Sequence, residues 1–305
     1  MLQHLYDLNL NGQMKKINGC IHILSGRVKC LKYSLESFYQ YYNYKYDYPV
    51  YVYYFDPLYS DKYIKDIHLN ISPNIEFIEL DYSLPKHIDR SDLFLYRNNE
   101  YVRTSFGVHR IGYLHMINYF VNFYNYPQTK FKDYNYCLSF DDDTIFLKEI
   151  ELDIFRILKE NNSLMGSLNV TKRALPANQR TLDTREKQFE FVQYYIQKYK
   201  FEQNTIEFNS ILDIETFYGY SVTDTNVYDM TLFKTKEWNQ WITEINNFGG
   251  IYKYRWGDHE LNGLFWIIHF NKPFYNFNLV NQGYLDPGGL RHIQDYTPGV
   301  KNWWK

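Results

Sequence analysis

The first half of the chain repeats one pattern: a short apolar run, a turn, then apolar residues at helical spacing. "GCIHILSGR", from Gly19, reads as a first strand ending in a turn at Gly26. Lys29 to Tyr42 then sets Leu31, Leu35 and Phe38 on one helical face. "YPVYVYYFD" and "NIEFIELDY" read as the second and third strands, Gly107 to Tyr124 as a helix, and "YNYCLSF" as a fourth strand. Parallel strands can be joined only by long crossovers, usually helices, so this alternation confines the first half to an α/β sheet. The second half is less regular. Thr181 to Tyr199 and Trp238 to Ile245 have helical spacing, and "GLFWIIHF" is apolar enough to be buried. No Pro- or Gly-rich linker divides the chain, so residues 1–150 and 151–305 are expected to be interlocked halves of a single domain.

Three consecutive carboxylates, Asp141, Asp142 and Asp143, close the fourth strand and precede another apolar run. Adjacent acids raise one another's pKa values, a conflict that a divalent cation removes. Mg²⁺ and Mn²⁺ prefer oxygen ligands, commonly one or two carboxylates plus substrate phosphates. Ligands of open α/β sheets gather at the carboxyl ends of strands, where these acids sit. Along an extended segment Asp141 and Asp143 project to one side and Asp142 to the other, so the outer pair are the candidate metal ligands.

Two chemistries use such a segment. One is sugar transfer from a nucleotide-diphosphate donor, where a metal stabilises the departing diphosphate. The other is phosphoryl transfer by haloacid-dehalogenase-like phosphatases, whose D-x-D-x-[TV] pattern is nearly met by "DDDTI". There Thr144 stands one place early, Ile145 occupies the Thr/Val position, and three strands precede a motif that usually opens its domain. The bland alternative is a solvated acidic turn.

Composition narrows the partners. A formal charge of −2 over 305 residues offers no basic field to nucleic acid. The 33 Tyr and 22 Phe, beside plentiful Asn and Lys, follow the codon bias of an AT-rich genome more simply than they describe an aromatic-lined site. Cys20, Cys30 and Cys137 lack metal-ligand spacing. No apolar run is long enough to span a bilayer, and nothing near Met1 resembles a signal peptide.

A second motif, "NNFGGIYKYRWGDHELNGL" from Asn246 to Leu264, closely resembles the G-G-x-x-Y-x-R-W-G-D stretch of glycosyltransferase family 15, the fungal α-1,2-mannosyltransferases. "GYLHM", Gly112 to Met116, resembles that family's S-Y-R-H-M segment, and "GYLDP", Gly283 to Pro287, its late G-Y-Y-H-P. The resemblance implies a GT-A fold: a Rossmann-like nucleotide-binding half with a mixed central sheet, joined to an acceptor-binding half. It also implies Mn²⁺ (or Mg²⁺), a GDP-mannose donor, a glycan or glycoprotein acceptor, and retention of anomeric configuration. Asp141 and Asp143 match the outer residues of the family's E-P-D, with Asp142 in place of proline, and Asp286 falls on its late metal-ligand histidine. Tyr113 and Arg27 match residues at the nucleotide site. Leu114 replaces the arginine of Y-R-H-M. Asn226 falls where the family has a glutamate proposed as nucleophile, with Asp224 the nearest carboxylate alternative and Asp229 matching a family aspartate.

In "RWGD", Arg255 is expected to offer a fork to carboxylate or phosphate, Trp256 a sugar-sized face, and Asp258 an acceptor for hydroxyl protons; the alternative is Trp256 in the core with Arg255 paired to Asp258. Without a carboxylate at Asn226, the acceptor is expected to attack from the leaving-group face. A GT-A fold kept as a binding module with its chemistry lost is the reading from another class. The AT-rich composition, with no anchor recognised before the domain, suggests a giant virus or a protist glycosylating in its cytoplasm; a Golgi lumen is expected if an anchor has been removed.

Overall fold

The computed structural model describes residues 16–55, 59–81, 83–93, 103–104, 107–108, 111–168, 170–172, 187–212, 220–222, 225–270 and 275–290. Asp224 lies outside them, as do residues 181–186 of the helix expected from Thr181.

The strands expected in the first half form as β1 (Gly19–Leu24), β2 (Val50–Phe55), β3 (Ile75–Leu80) and β4 (Tyr136–Asp141). β1 and β2 are buried along their whole length, which is why their sequences run apolar without alternating. A short β5 (Ile145–Phe146) follows the acids. The second half contributes β6 (Met165–Ser167), β7 (Asn226–Asp229) and β8 (Tyr275–Asn276) to the same sheet, and β9 (Leu285–Asp286) pairs with β5. The seven-stranded sheet has the order β8-β6-β7-β4-β1-β2-β3. β4-β1-β2-β3 run parallel, whereas β7 is antiparallel to both β4 and β6, so the sheet is mixed and the halves share it.

Alternation along the strands divides the core. Ile21, Ile23, Val52 and Leu138 pack on one face with helix α1 (Val28–Phe38), while α2 (Asp61–Asn70) contributes Ile67. Cys20, Leu24, Tyr53 and Cys137 pack on the other, with α3 (Ile111–Asn122), α4 (Gln188–Tyr199), α5 (Lys236–Phe248) and α6 (Asp258–His269). Two ends differ from the sequence expectation. The helix expected from Gly107 begins at Ile111, because Gly107–Val108 pairs as a strand with Arg103–Thr104. α1 stops at Phe38 and continues as a π turn to Asn43. α5 is bounded by chemistry: Thr235 Oγ1 accepts from the Trp238 N–H (3.1 Å), and Gly249 closes it at φ 75°. Among the described residues no helix is long and apolar enough to cross a membrane.

His22 and His115 are buried in this fold, and His269 is half-buried. Burial holds His22 down to about 3, and His115 and His269 to about 4. They stay neutral when folded, whereas the unfolded chain takes up their protons near 6.5. As pH falls below that value, protons bind the unfolded chain first, so stability drops until the folded pKa values are reached. Each unit of depression corresponds to about 1.4 kcal/mol. The melting temperature is therefore expected to be flat from pH 8 to 7 and to fall steeply between pH 6.5 and 4. A flat profile down to pH 4 would contradict this.

Candidate active site

β1 and β4 are parallel neighbours with Leu24 opposite Asp141, so the turn after β1 and the acids after β4 emerge at the same sheet edge. The strand ends at Asp141. A turn, closed by the Thr144 N–H donating to the Asp141 carbonyl (3.0 Å), carries Asp142 and Asp143 into full burial, while the Asp141 side chain keeps 23% exposure. The extended geometry expected across the triplet thus stops after its first member. All three carboxylates nevertheless meet one cation. The Arg27 guanidinium sets Nε 2.5 Å from Asp142 Oδ1, Nη1 against Asp143 Oδ2, and Nη2 3.9 Å from Asp141 Oδ2.

Asp286 joins them through the β9–β5 pair, where it lies opposite Ile145. Its segment folds over the acidic turn, the Leu290 N–H donating to the Asp143 carbonyl (3.1 Å). Among the described residues no three His, Cys, Asp or Glu side chains form a ready metal cage; the triplet is organised around Arg27 instead. The donor set still suits a hard divalent ion. It is all carboxylate, Asp141 and Asp286 reach solvent, and a cationic group is already stabilised there.

The "GYLHM" and "RWGD" segments dock on each other. Arg255 has its guanidinium carbon 5.0 Å from the centre of the Tyr113 ring, and Tyr252 Oη lies 3.1 Å from His115 Nδ1. Arg255 adopts φ 59°, a left-handed conformation that a non-glycine residue keeps only when its surroundings impose it. Leu114, at the family's arginine position, is fully buried in the core. Trp256 is a correction. It is fully buried, with Phe248 stacked at 5.1 Å, Phe191 at 5.0 Å and Gly250 beneath the indole, and no face remains for a sugar.

Direction decides the β7 residues. Because β7 runs antiparallel to β4, Asn226 sits opposite Ser139, two residues before Asp141, while Asp229 sits opposite Tyr136 at the far end. At about 3.3 Å per residue, the five positions from Tyr136 to Asp141 separate Asp229 from the acids by roughly 16 Å. Asp229 therefore does not join the catalytic group; it accepts from the Thr231 N–H (2.9 Å) and hydroxyl (2.6 Å), stabilising a turn. Asn226 is buried, and its Oδ1 has no hydrogen-bond partner among the described residues. Asp258 starts α6, with His259 Nε2 3.5 Å from its carboxylate. Burial, the Cys137 thiol and then the Asp258 charge raise the hydroxyl pKa of Tyr228, which bonds the Asn226 side chain, so the charge of Asp258 is felt at the hydroxyl that Asn226 touches.

Three residues escaped the sequence reading. Asp142 was assigned no role, yet it accepts from Ser25, Gly26 and Arg27. Ser25 carries no motif beyond its place in "LSGR". Asn262, four residues after Asp258 and so on the same helical face, is buried with Oδ1 lacking a hydrogen-bond partner among the described residues.

A family model described as glycolipid 2-alpha-mannosyltransferase matches residues 3–286. No curated protein matches the sequence. Core-mannan synthase A from Aspergillus fumigatus, solved in an Mn/GDP form, aligns at a TM-score of 0.70 and 15% identity, over 88% of this chain and 76% of that one. Mannosyltransferase Ktr4p from S. cerevisiae, solved with GDP, aligns at 0.65 and 17%, over 95% and 81%. These likenesses establish the GT-A fold expected from the motifs. The sequence match runs through both acidic segments and the "RWGD" motif, and it leaves the phosphatase reading without support. The chain is a glycosyltransferase and belongs to the glycolipid 2-alpha-mannosyltransferase family.

Proposed function

We propose that the enzyme transfers mannose from GDP-mannose to a hydroxyl of a glycan or glycoprotein, with retention and with Mn²⁺ or Mg²⁺. Asp141 and Asp143 set against Arg27 at the carboxyl edge of the parallel strands, with Asp286 carried on the strand that pairs just after them, support this reading. The Mn/GDP and GDP forms of the two fungal enzymes support the choice of metal and base. Asp141, Asp143 and Asp286 would hold the metal, which when bound supplies positive charge to the departing diphosphate.

The chain's own groups account for the rest. Arg27 offers a planar fork suited to phosphate oxygens. Tyr113, held under Arg255, offers a ring edge beside the nucleotide. The Asn226 amide oxygen carries partial negative charge without basicity, so it steadies a developing oxocarbenium centre and forms no lasting ester. Retention then follows attack from the leaving-group face, with the diphosphate oxygen taking the acceptor proton. Asp258 accepts from a sugar hydroxyl.

Screening GDP- and UDP-sugars for metal-dependent hydrolysis and transfer, with the product anomer read by NMR, tests the proposal. GDP-mannose giving an α-linked product is the expected result; a UDP-sugar preference or an inverted product contradicts it. Asn226→Ala is expected to lower kcat about 100-fold, the cost of removing one preorganised electrostatic group. An unchanged kcat would remove Asn226 from the site.

A further inference from the structure

The middle acid of the triplet accepts four hydrogen bonds. Asp142 is fully buried. Its Oδ2 accepts from Ser25 Oγ (2.7 Å), the Gly26 N–H (2.9 Å) and the Arg27 N–H (2.8 Å), and its Oδ1 accepts from Arg27 Nε (2.5 Å). Ser25 Oγ in turn lies 2.5 Å from the buried Tyr59 hydroxyl, which donates to it since the serine proton is given to Asp142. One oxygen thus fixes the backbone turn after β1, and the other fixes the guanidinium through its inner nitrogen. That arrangement leaves Nη1 and Nη2 directed at the outer acids, Asp143 and Asp141.

We propose that Asp142 is a positioning residue that locks the Ser25–Arg27 turn and aims the Arg27 fork at the diphosphate of the donor. This inference rests on the function proposed above. A guanidinium held through Nε still presents both Nη groups, which can exchange the carboxylates for a phosphate when a divalent ion takes over their charge. A proline at this position, as in the E-P-D pattern, has no side-chain acceptor, so such a chain must orient its arginine by other means.

Asp142→Asn separates the two oxygens chemically. With its carbonyl oxygen at the Oδ2 position, the amide keeps the bonds from Ser25, Gly26 and the Arg27 backbone. Its NH₂ then faces Arg27 Nε, donor against donor, and only the guanidinium tie is lost. GDP affinity of the full chain, measured by calorimetry with Mn²⁺ present, is expected to fall tenfold or more, the loss typical of a hydrogen bond between charged groups. Mn²⁺ affinity without nucleotide, followed by the electron paramagnetic resonance of the free ion, is expected to change less than threefold. KM for the donor should rise while kcat stays within about threefold. In an Arg27→Gln background, Asp142→Asn should add less than a twofold further loss.

Wild-type-like GDP binding by Asp142→Asn overturns the inference, and so does an undiminished loss in the Arg27→Gln background. Should Asp142→Asn fail to fold, Arg27→Lys gives the same reading: it keeps the charge, lacks Nε, and must lose tenfold in GDP affinity. Absence of GDP binding by the wild-type chain would instead overturn the functional proposal and this inference together.

Discussion

Asp143→Ala is expected to lower metal-dependent transfer by about a thousandfold, the upper range for removing one preorganised electrostatic group. Asp143 is fully buried at the base of the acidic turn, and its carboxylate is matched by Arg27. Its loss does two things. It removes an inner oxygen from the proposed metal site, and it removes one of the two fully buried carboxylates that face Arg27. Asp286 is exposed, and its replacement by Ala should cost less, about tenfold to a hundredfold, by analogy with weakened metal shells. Thermal unfolding with and without Mn²⁺ and GDP separates chemistry from folding. The wild type should gain stability from the pair, because any ligand bound only by the native state stabilises it. Asp143→Ala should fold and show no gain. A variant that retains a tenth of wild-type transfer would contradict the assignment.

Gly250→Ala is expected to be the most damaging glycine-to-alanine change among the described residues. A Cβ at this position would stand 2.0 Å from Trp256 Cε3 and 2.2 Å from Cζ3. The indole cannot retreat, since Phe191, Phe248 and Tyr254 surround it and it has no exposed surface. Overpacking of this kind costs about 3 kcal/mol, or roughly 5 °C in melting temperature for a chain of this size. Function should suffer as well, because Trp256 adjoins Arg255, whose left-handed backbone sets the guanidinium over Tyr113. Adding Trp256→Leu should recover part of the stability lost to Gly250→Ala, since the two residues share one contact. Full additivity of the two substitutions would show that the clash is relieved elsewhere.

The contrast between Tyr113 and Trp256 shows what could be read in the sequence. β1, β2 and β4 were visible because strands buried on both faces give unbroken apolar runs. The acids were visible because three adjacent charges at the end of such a run need a counter-charge. Trp256 lies in the same motif as Arg255, yet one side chain enters the core and the other crosses to Tyr113. A left-handed residue between two helical turns makes that choice, and spacing does not encode it. Asp229 was misplaced for another reason. Its distance from the acids depends on the antiparallel sense of β7, which a four-residue strand does not announce. Asp142 needed the fold itself, since its partners lie 115 to 117 positions earlier.

The most direct measurement is the anomalous manganese signal in a crystal grown with Mn²⁺ and GDP. A single peak among the carboxylates of Asp141, Asp143 and Asp286, touching the diphosphate, with Arg27 moved from Asp143 onto a phosphate oxygen, is the expected result. Nucleotide bound without manganese at that edge, or Arg27 still seated on Asp143 beside a bound diphosphate, would contradict it.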